Sequence, residues 1–362
     1  MPTRTPLSLT LASAAVLVLV GCTGGESTSE PATGSGPTAA EPTADVATST
    51  DAPGGSSSPV PSPQGPAEPP KGVVDVPRPQ SLQAVMARAY HGGSIRTLRE
   101  TADYGAYTRS DVRYRSDGVR VTGVLHVPAG RGPFPALVLA HGYIEPSSYV
   151  TGQGMSREMD YLARAGYVLL HTDYRGHAGS DPATALDRET RLGYTEDVIT
   201  AVQAIKRLPY VDPDRVGLLG RSMGGGIVLN VLVTKPGLAD AAVVYAPVSS
   251  RFLDNFNRWT RPERPDMAAA VLDRLGTPAE RPAVYKSLSP RTFFDRITEP
   301  VLIHHGTADE SCPVRWSRET FRALRAASVD ARLQTYPGEP HAFVADWALS
   351  IRRTDRFFDH HL

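Results

Sequence analysis

The chain has 362 residues, 38 basic against 38 acidic side chains, and two cysteines. That balance, with no run of Lys and Arg, argues against a nucleic acid or another polyanion as partner. The cysteine count argues against a disulfide-stapled fold, and the length leaves room for a large core even after the amino-terminal part is set aside.

Residues 1–22 read MPTRTPLSLTLASAAVLVLVGC. Their apolar stretch, Leu7 to Val20, is short for a bilayer span and has the length of a signal-peptide core. The ending Leu19-Val20-Gly21-Cys22 resembles a bacterial lipobox, which implies cleavage before Cys22 and acylation of its thiol. An ordinary secretory signal followed by a chance cysteine is the alternative. Residues 23–79 are dominated by Ser, Thr, Pro, Gly and Ala. Such a segment buries too little apolar surface to offset its ordering entropy, so it is expected to be a disordered tether. The expectation is an exported protein held at the outer face of the cell membrane by lipid on Cys22, with a folded domain at residues 80–362.

In that domain the pattern from Arg109 to Pro128 alternates around Asp117-Gly118, which predicts a β-hairpin. Strands and helices then take turns. "FPALVLAHG" (134–142) predicts a strand buried on both faces, 155–165 a helix, "GYVLLHTDYRG" a strand, 190–207 a helix ended by Pro209, and 215–219 a strand. A helix stopped by Pro236-Gly237 and the strand "AAVVYAP" (241–247) follow. Residues 249–296 are less regular. "PVLIHHG" predicts a strand, 314–327 a helix, "ARLQTYPG" a strand, and about 343–359 a final helix. A hairpin followed by repeated strand–helix units predicts an α/β fold with a mostly parallel twisted sheet covered on both faces. In such sheets the working groups collect at the carboxyl ends of the strands.

Gly220-Arg221-Ser222-Met223-Gly224 has the form Gly-x-Ser-x-Gly between a predicted strand and a predicted helix. So tight a turn needs flanking positions without side chains, and it lifts the serine hydroxyl above the sheet at the positive end of a helix. A glycine-rich turn that only permits close helix packing is the alternative. A serine nucleophile needs a base, and the base an orienting acid, in the order Ser, acid, His for this topology. Asp309 follows "PVLIHHG" and His341 follows the last strand, which makes them the expected acid and base. Among the other histidines, His304 and His305 lie on a strand, His171 and His177 precede the acid, and His360 and His361 close the chain. The backbone N–H groups of Tyr143, after "ALVLAHG", and of Met223 are the expected oxyanion donors. His141 is read as a structural hydrogen bonder. Asp173, Arg175 and Ser180 are read as bracing for the corner, with a substrate contact of Arg175 as the alternative. Cys312 is expected to be a small buried apolar group.

The motifs "YRSDGVRVTGVLHVP", "AHGY", "DYRGHAGS", "VDPDRVGLLGRSMGGG", "SLSPRTFFDRITEPVLIHHGTADESCPVRWS" and "YPGEPHAF" together resemble the α/β-hydrolases. They are most similar to the catalytic domain of the prolyl oligopeptidase and acylaminoacyl-peptidase group, over about Tyr107 to His361. The resemblance implies Ser222 as nucleophile, Asp309 as acid, His341 as base, and neither cofactor nor metal. It implies a small ester or a short peptide as substrate. Members of that group carry a β-propeller ahead of the catalytic domain, and here about thirty ordered residues precede the hairpin, so esters are expected as readily as peptides. Residues 249–296 would then form a short helical lid, with Phe252, Phe256 and Trp259 walling an acyl pocket or forming the core of the lid itself. The rival expectation is a catalytically silent, surface-anchored binding protein on the same scaffold.

Overall fold

The computed structural model describes residues 80–362. The signal segment, Cys22 and the tether lie outside the described residues. After a short helix α1 (Leu82–Ala87) come β1 (Arg96–Asp103), β2 (Tyr107–Ser116), β3 (Val119–Pro128) and β4 (Phe134–Ala140). Then follow α2 (Ser156–Arg164), β5 (Val168–Thr172), α3 (Ala185–Thr190), α4 (Leu192–Ile205), β6 (Val211–Arg221), α5 (Met223–Thr234) and β7 (Ala241–Tyr245).

Residues 249–296 are helical where the sequence lacked a regular period. They form α6 (Phe252–Asn255), one π turn (Phe256–Thr260), α7 (Arg261–Glu263), α8 (Pro265–Leu275), α9 (Pro282–Ser287) and a 3₁₀ stretch (Pro290–Arg296). β8 (Val301–Gly306), α10 (Val314–Ala326), β9 (Ala331–Tyr336) and α11 (Trp347–His361) complete the chain.

The strands form one sheet in the order β1-β2-β3-β5-β4-β6-β7-β8-β9. β1, β2 and β3 run antiparallel, β3 meets β5 antiparallel, and every pairing from β5 to β9 is parallel. This is the expected α/β-hydrolase architecture. The β2–β3 turn places Asp117 and Gly118 both at positive φ, 47° and 85°, the backbone that an Asp-Gly pair favours because its twist matches that of the strands.

Alternation along the strands assigns side chains to two cores. Leu137, Leu139, Leu219 and Leu302 face one side with α2 and α11, through Met159, Leu162, Ile351 and Phe358. Val138, Leu218, Val244 and Ile303 face the other with α4 and α5, through Val198, Val202, Ile227 and Val231. Burying one such side chain contributes about 1.5–3 kcal/mol, so one strand register fixes both layers. The insertion joins the second core through Phe252, Phe256, Val271, Leu275 and Tyr285. It is pinned to the sheet domain where Thr260 Oγ1 and Arg264 Nε donate to Glu189, at 2.6 and 3.0 Å. All of this leaves the carboxyl ends of β4, β6, β7 and β8 opening onto one rim.

Candidate active site

β6 ends at Arg221 and α5 begins at Met223, so Ser222 alone makes the corner. Its backbone has φ 55° and ψ −117°, a combination that costs on the order of 1–3 kcal/mol and persists only when its surroundings enforce it. Here they do. Ser222 N donates to Tyr245 O at 2.8 Å, and Ser222 O accepts from Val248 N at 3.1 Å and Gly226 N at 3.3 Å. Gly224 is required by close approach: a Cβ there would run into the carbonyl of Ala140 at the end of β4. The loop after β4 also abuts the corner, since a Cβ on Gly142 would lie 3.3 Å from that of Ser222. Met223 is the first residue of α5, where the geometry of a helix leaves the amide without an intrahelical acceptor.

The loop after β8 carries Asp309, whose side chain is buried while its backbone is partly exposed. Its Oδ1 accepts from the backbone of Ser311 and Cys312, at 2.9 and 2.7 Å. Its Oδ2 lies 2.8 Å from His341 Nδ1 and 3.1 Å from His305 Nε2. Burial pushes the Asp309 carboxyl up, but the hydrogen bonds from His305 and His341 outweigh it and hold the group well below the usual carboxylate range. Asp309 is therefore a carboxylate at neutral pH.

His341 sits in the loop after β9. Its N–H donates to Glu310 at 3.1 Å, and its carbonyl accepts from Arg221 at 3.3 Å. Arg221 in turn is paired with the buried Glu158 of α2 and lies over the Tyr245 ring, 5.0 Å from its centroid. Farther along the loop, Glu339 accepts from the amides of Val344 and Asp346.

The structure thus brings Asp309 and His341 into direct contact on the rim where Ser222 emerges. The Ser222 hydroxyl itself is turned to Cys312 Sγ, 4.0 Å away, and is not hydrogen-bonded to the imidazole. Cys312 is buried and packs with Val248 and Trp316, against which Trp259 leans. Burial pushes the Cys312 thiol up to about 12, so it is neutral at physiological pH. The three aromatics of the insertion separate. Trp259 stands edge-on to Trp316, with centroids 5.5 Å apart, beside this group. Phe252 and Phe256 stack on each other at 5.9 Å inside the insertion and approach Tyr285.

Of the bracing residues, Arg175 is wholly engaged. It donates to Asp197 at 2.8 and 3.1 Å and reaches Glu196 at 3.3 Å. Asp173 accepts from Thr122, Tyr149 and Gly152, and Ser180 from the amide of Thr122. His141 is completely buried, its Nδ1 2.6 Å from Gly142 O and its ring stacked 4.8 Å from Tyr149. The Tyr143 ring is half-exposed, its hydroxyl donating to Glu145 at 2.7 Å.

Sequence reasoning passed over His305, Val248, Trp316, Arg221 and Glu158. The signal for the first two was their place at the ends of β8 and β7. Trp316, in the first turn of α10, meets Trp259, which the insertion carries, and the Arg221–Glu158 pair joins residues whose proximity no local pattern encodes.

The prolyl oligopeptidase family model matches residues 153–362. Among curated proteins the chain is 27% identical over 249 residues to the uncharacterized peptidase YuxL of Bacillus subtilis (strain 168), covering 64% of this chain and 35% of that one. It is 28% identical over 225 residues to the acylamino-acid-releasing enzyme of Sus scrofa, covering 58% and 28%. The chain thus spans about a third of the length of these relatives. Among solved structures, acetyl xylan esterase 1 from Thermoanaerobacterium sp. JW/SL YS485 superposes with a TM-score of 0.59 at 20% identity, over 76% of this chain and 92% of that one. The superposition supports the α/β-hydrolase fold, and the family match over more than half of the sequence assigns the chain: it belongs to the prolyl oligopeptidase family.

Proposed function

We propose that this protein is a serine hydrolase that cleaves carboxylic ester or short acyl-amide bonds through an acyl-enzyme on Ser222. The observation that carries the reading is the 2.8 Å contact of His341 Nδ1 with a buried, ionised Asp309 on the rim where the strained corner presents Ser222. In this reading the hydroxyl rotates away from Cys312 to His341 Nε2, which takes its proton as Oγ attacks the carbonyl carbon. Asp309 holds the imidazole in the tautomer with its proton on Nδ1 and stabilises the imidazolium that forms. The amides of Tyr143 and Met223 receive the oxyanion, each such donor being worth about 2.7–4 kcal/mol in known cases. His341 then protonates the leaving group, and water repeats the cycle to release the acid. Val248, Cys312, Trp259 and Trp316 supply an apolar wall for the acyl part. The relatives are named for both bond types, peptidases on one side and an acetyl xylan esterase on the other, which supports testing both.

Replacing Ser222 by Ala is expected to lower turnover of a nitrophenyl acyl ester about 10⁶-fold. Unchanged turnover in that variant overturns the assignment. Labelling by a fluorophosphonate separates this reading from a silent binding protein, which would not react. Parallel rates on short acyl esters and aminoacyl anilides decide between esterase and peptidase. We further propose that the protein is exported and anchored through acylated Cys22. Cys22→Ser is then expected to shift the protein from the membrane to the soluble fraction, and full membrane retention counts against it.

A further inference from the structure

Two imidazoles, not one, hold the acid of this site. His304 and His305 sit together near the end of β8, and alternation along the strand sends them to opposite faces of the sheet. His304 lies 2.7 Å from the Tyr336 hydroxyl and 3.1 Å from that of Thr354 on α11. His305, completely buried, turns instead to α10 and the loop after β8. Its Nδ1 lies 2.6 Å from Ser317 Oγ, and its Nε2 lies 2.8 Å from the Cys312 carbonyl oxygen and 3.1 Å from Asp309 Oδ2.

These partners fix where the proton is. A backbone carbonyl and an ionised carboxylate only accept, so Nε2 carries a proton and shares it between them. That single N–H ties Asp309, at one end of the turn, to Cys312 at the other. Ser317 Oγ secures the far side of the ring: a hydroxyl donates to a neutral Nδ1 and accepts from a protonated one, so the ring is held in either charge state.

Asp309 Oδ2 therefore meets two imidazole N–H groups, one from His305 and one from His341, while Oδ1 takes the amides of Ser311 and Cys312. The proposed mechanism uses only the contact with His341. A second imidazole at complete burial gives up its hydration, which its three polar contacts offset only while this arrangement persists. The same turn is held from the insertion by Arg258, which donates to the carbonyls of Glu310 and Ser311 at 2.9 and 2.7 Å. The other charged groups against His341 are Glu310, which accepts from its amide, and Arg221, which donates to its carbonyl. Neither of these touches His305, so a change at His305 reaches His341 through Asp309.

We infer that His305 is a positioning residue for the reaction: it locks the Asp309 carboxylate in the orientation that faces His341, and by sharing Oδ2 it limits how strongly that carboxylate favours the imidazolium. The inference rests on the proposed acyl-enzyme reading and adds a fourth side chain to the three that reading names. Without this N–H the carboxylate turns more freely, His341 is presented correctly less of the time, and kcat falls. The negative charge on Oδ2 also acts more fully on His341, so the base takes its proton at a higher pH and the acid limb of kcat/KM moves upward. The sign is the same for a neutral and a cationic His305, since both stabilise negative charge on Asp309.

The test measures kcat and KM for a nitrophenyl acyl ester across the pH range in which the full-length chain stays folded, in the wild type and three variants. His305→Leu is expected to lower kcat about tenfold or more, the size of one hydrogen bond to a charged group, with KM little changed, and to move the acid limb of kcat/KM up by about half a pH unit. His305→Gln, whose amide offers a donor to Asp309 and an acceptor to Ser317, is expected to recover most of both. Ser317→Ala, which frees the ring without removing it, is expected to lose about threefold in kcat. An acid limb that stays in place in His305→Leu, or a Gln variant no better than the Leu one, overturns the inference, because a packing role alone gives both results. Should His305→Leu fail to fold, Ser317→Ala decides, and an unchanged kcat there overturns the inference. Absence of both turnover and fluorophosphonate labelling in the wild type overturns the acyl-enzyme reading, and this inference with it.

Discussion

A single methyl group separates the working corner from a broken one. Gly224 packs directly on the carbonyl of Ala140, with the carbonyl of His141 close by, and neither main chain can withdraw without distorting β4 or α5. Gly224→Ala is therefore expected to cost several kcal/mol, beyond the 1–3 kcal/mol typical of overpacking, because the obstacle is backbone and cannot change rotamer. A lowered unfolding midpoint in denaturant checks it. Asp309→Asn makes a different demand. It keeps the shape but removes the charge facing His341 and favours the wrong imidazole tautomer, so kcat is expected to fall about 10⁴-fold with little change in fold. At this scale the sequence was highly legible. The glycines around Ser222, and the pairing of Asp309 with His341 at the ends of two strands, are readable because each follows from a local constraint. Trp316 and the Arg221–Glu158 pair were not, because their meaning comes from what other segments bring beside them.

Between elements, the contact that joins the corner to the histidine loop is Arg221. It reaches the carbonyl of His341 while paired with Glu158 of α2, and Arg157 of the same helix donates to the carbonyls of Ala342 and Phe343. α2 thus holds the loop that carries the expected base. Arg221→Met leaves the Glu158 carboxylate buried without its cation, an error that typically costs about 3–5 kcal/mol. The expected outcome is a lower melting temperature and reduced kcat with KM little changed, since the proposed apolar wall of Val248, Cys312, Trp259 and Trp316 is untouched. Glu158→Gln in the same background should recover stability. If Arg221→Met melts like the wild type, the pair does not hold the loop.

Legibility varied at this scale for a physical reason. Strands buried on both faces, such as β4, β7 and β8, announce themselves as apolar runs. β1, RTLRETAD, is an edge strand that is largely exposed, so it has no alternation to read. The insertion packs short helices irregularly and shows no sustained period.

Across the whole molecule, the buried histidines set the response to acid. His141, His171 and His304 are completely buried, and desolvation lowers each from its ordinary value to about 3. His126, on β3, is lowered to about 4 by burial and by the Arg109 cation. In the unfolded chain each titrates near 6.5. Well above that pH both states are neutral at these sites, and stability does not depend on them. As pH falls through about 6.5 the unfolded state takes up protons that the folded state refuses, so stability declines until the folded-state values are reached. The limiting slope is about 1.4 kcal/mol per pH unit for each such histidine. Asp309 reinforces the decline only lower down: its carboxylate is favoured in the fold, and that contribution is lost as pH falls below the ordinary aspartate value near 3.8. The histidines therefore act first; His141 and His171 stack with rings 5.4 Å apart, and His141 contacts the carbonyl of Gly142 in the loop after β4. Denaturant unfolding at pH 8, 6.5, 5 and 4 is expected to show a loss of about 1.6 kcal/mol across the first interval, as the unfolded histidines reach half protonation, and a steeper fall thereafter. His171 provides the control, because neither of its ring nitrogens has a partner and a leucine at this strand position forfeits no hydrogen bond. His171→Leu is expected to leave stability near neutrality changed by little more than a packing adjustment, while flattening the acid limb by about one histidine's share. An acid limb of unaltered slope would mean that protonation elsewhere unfolds the protein.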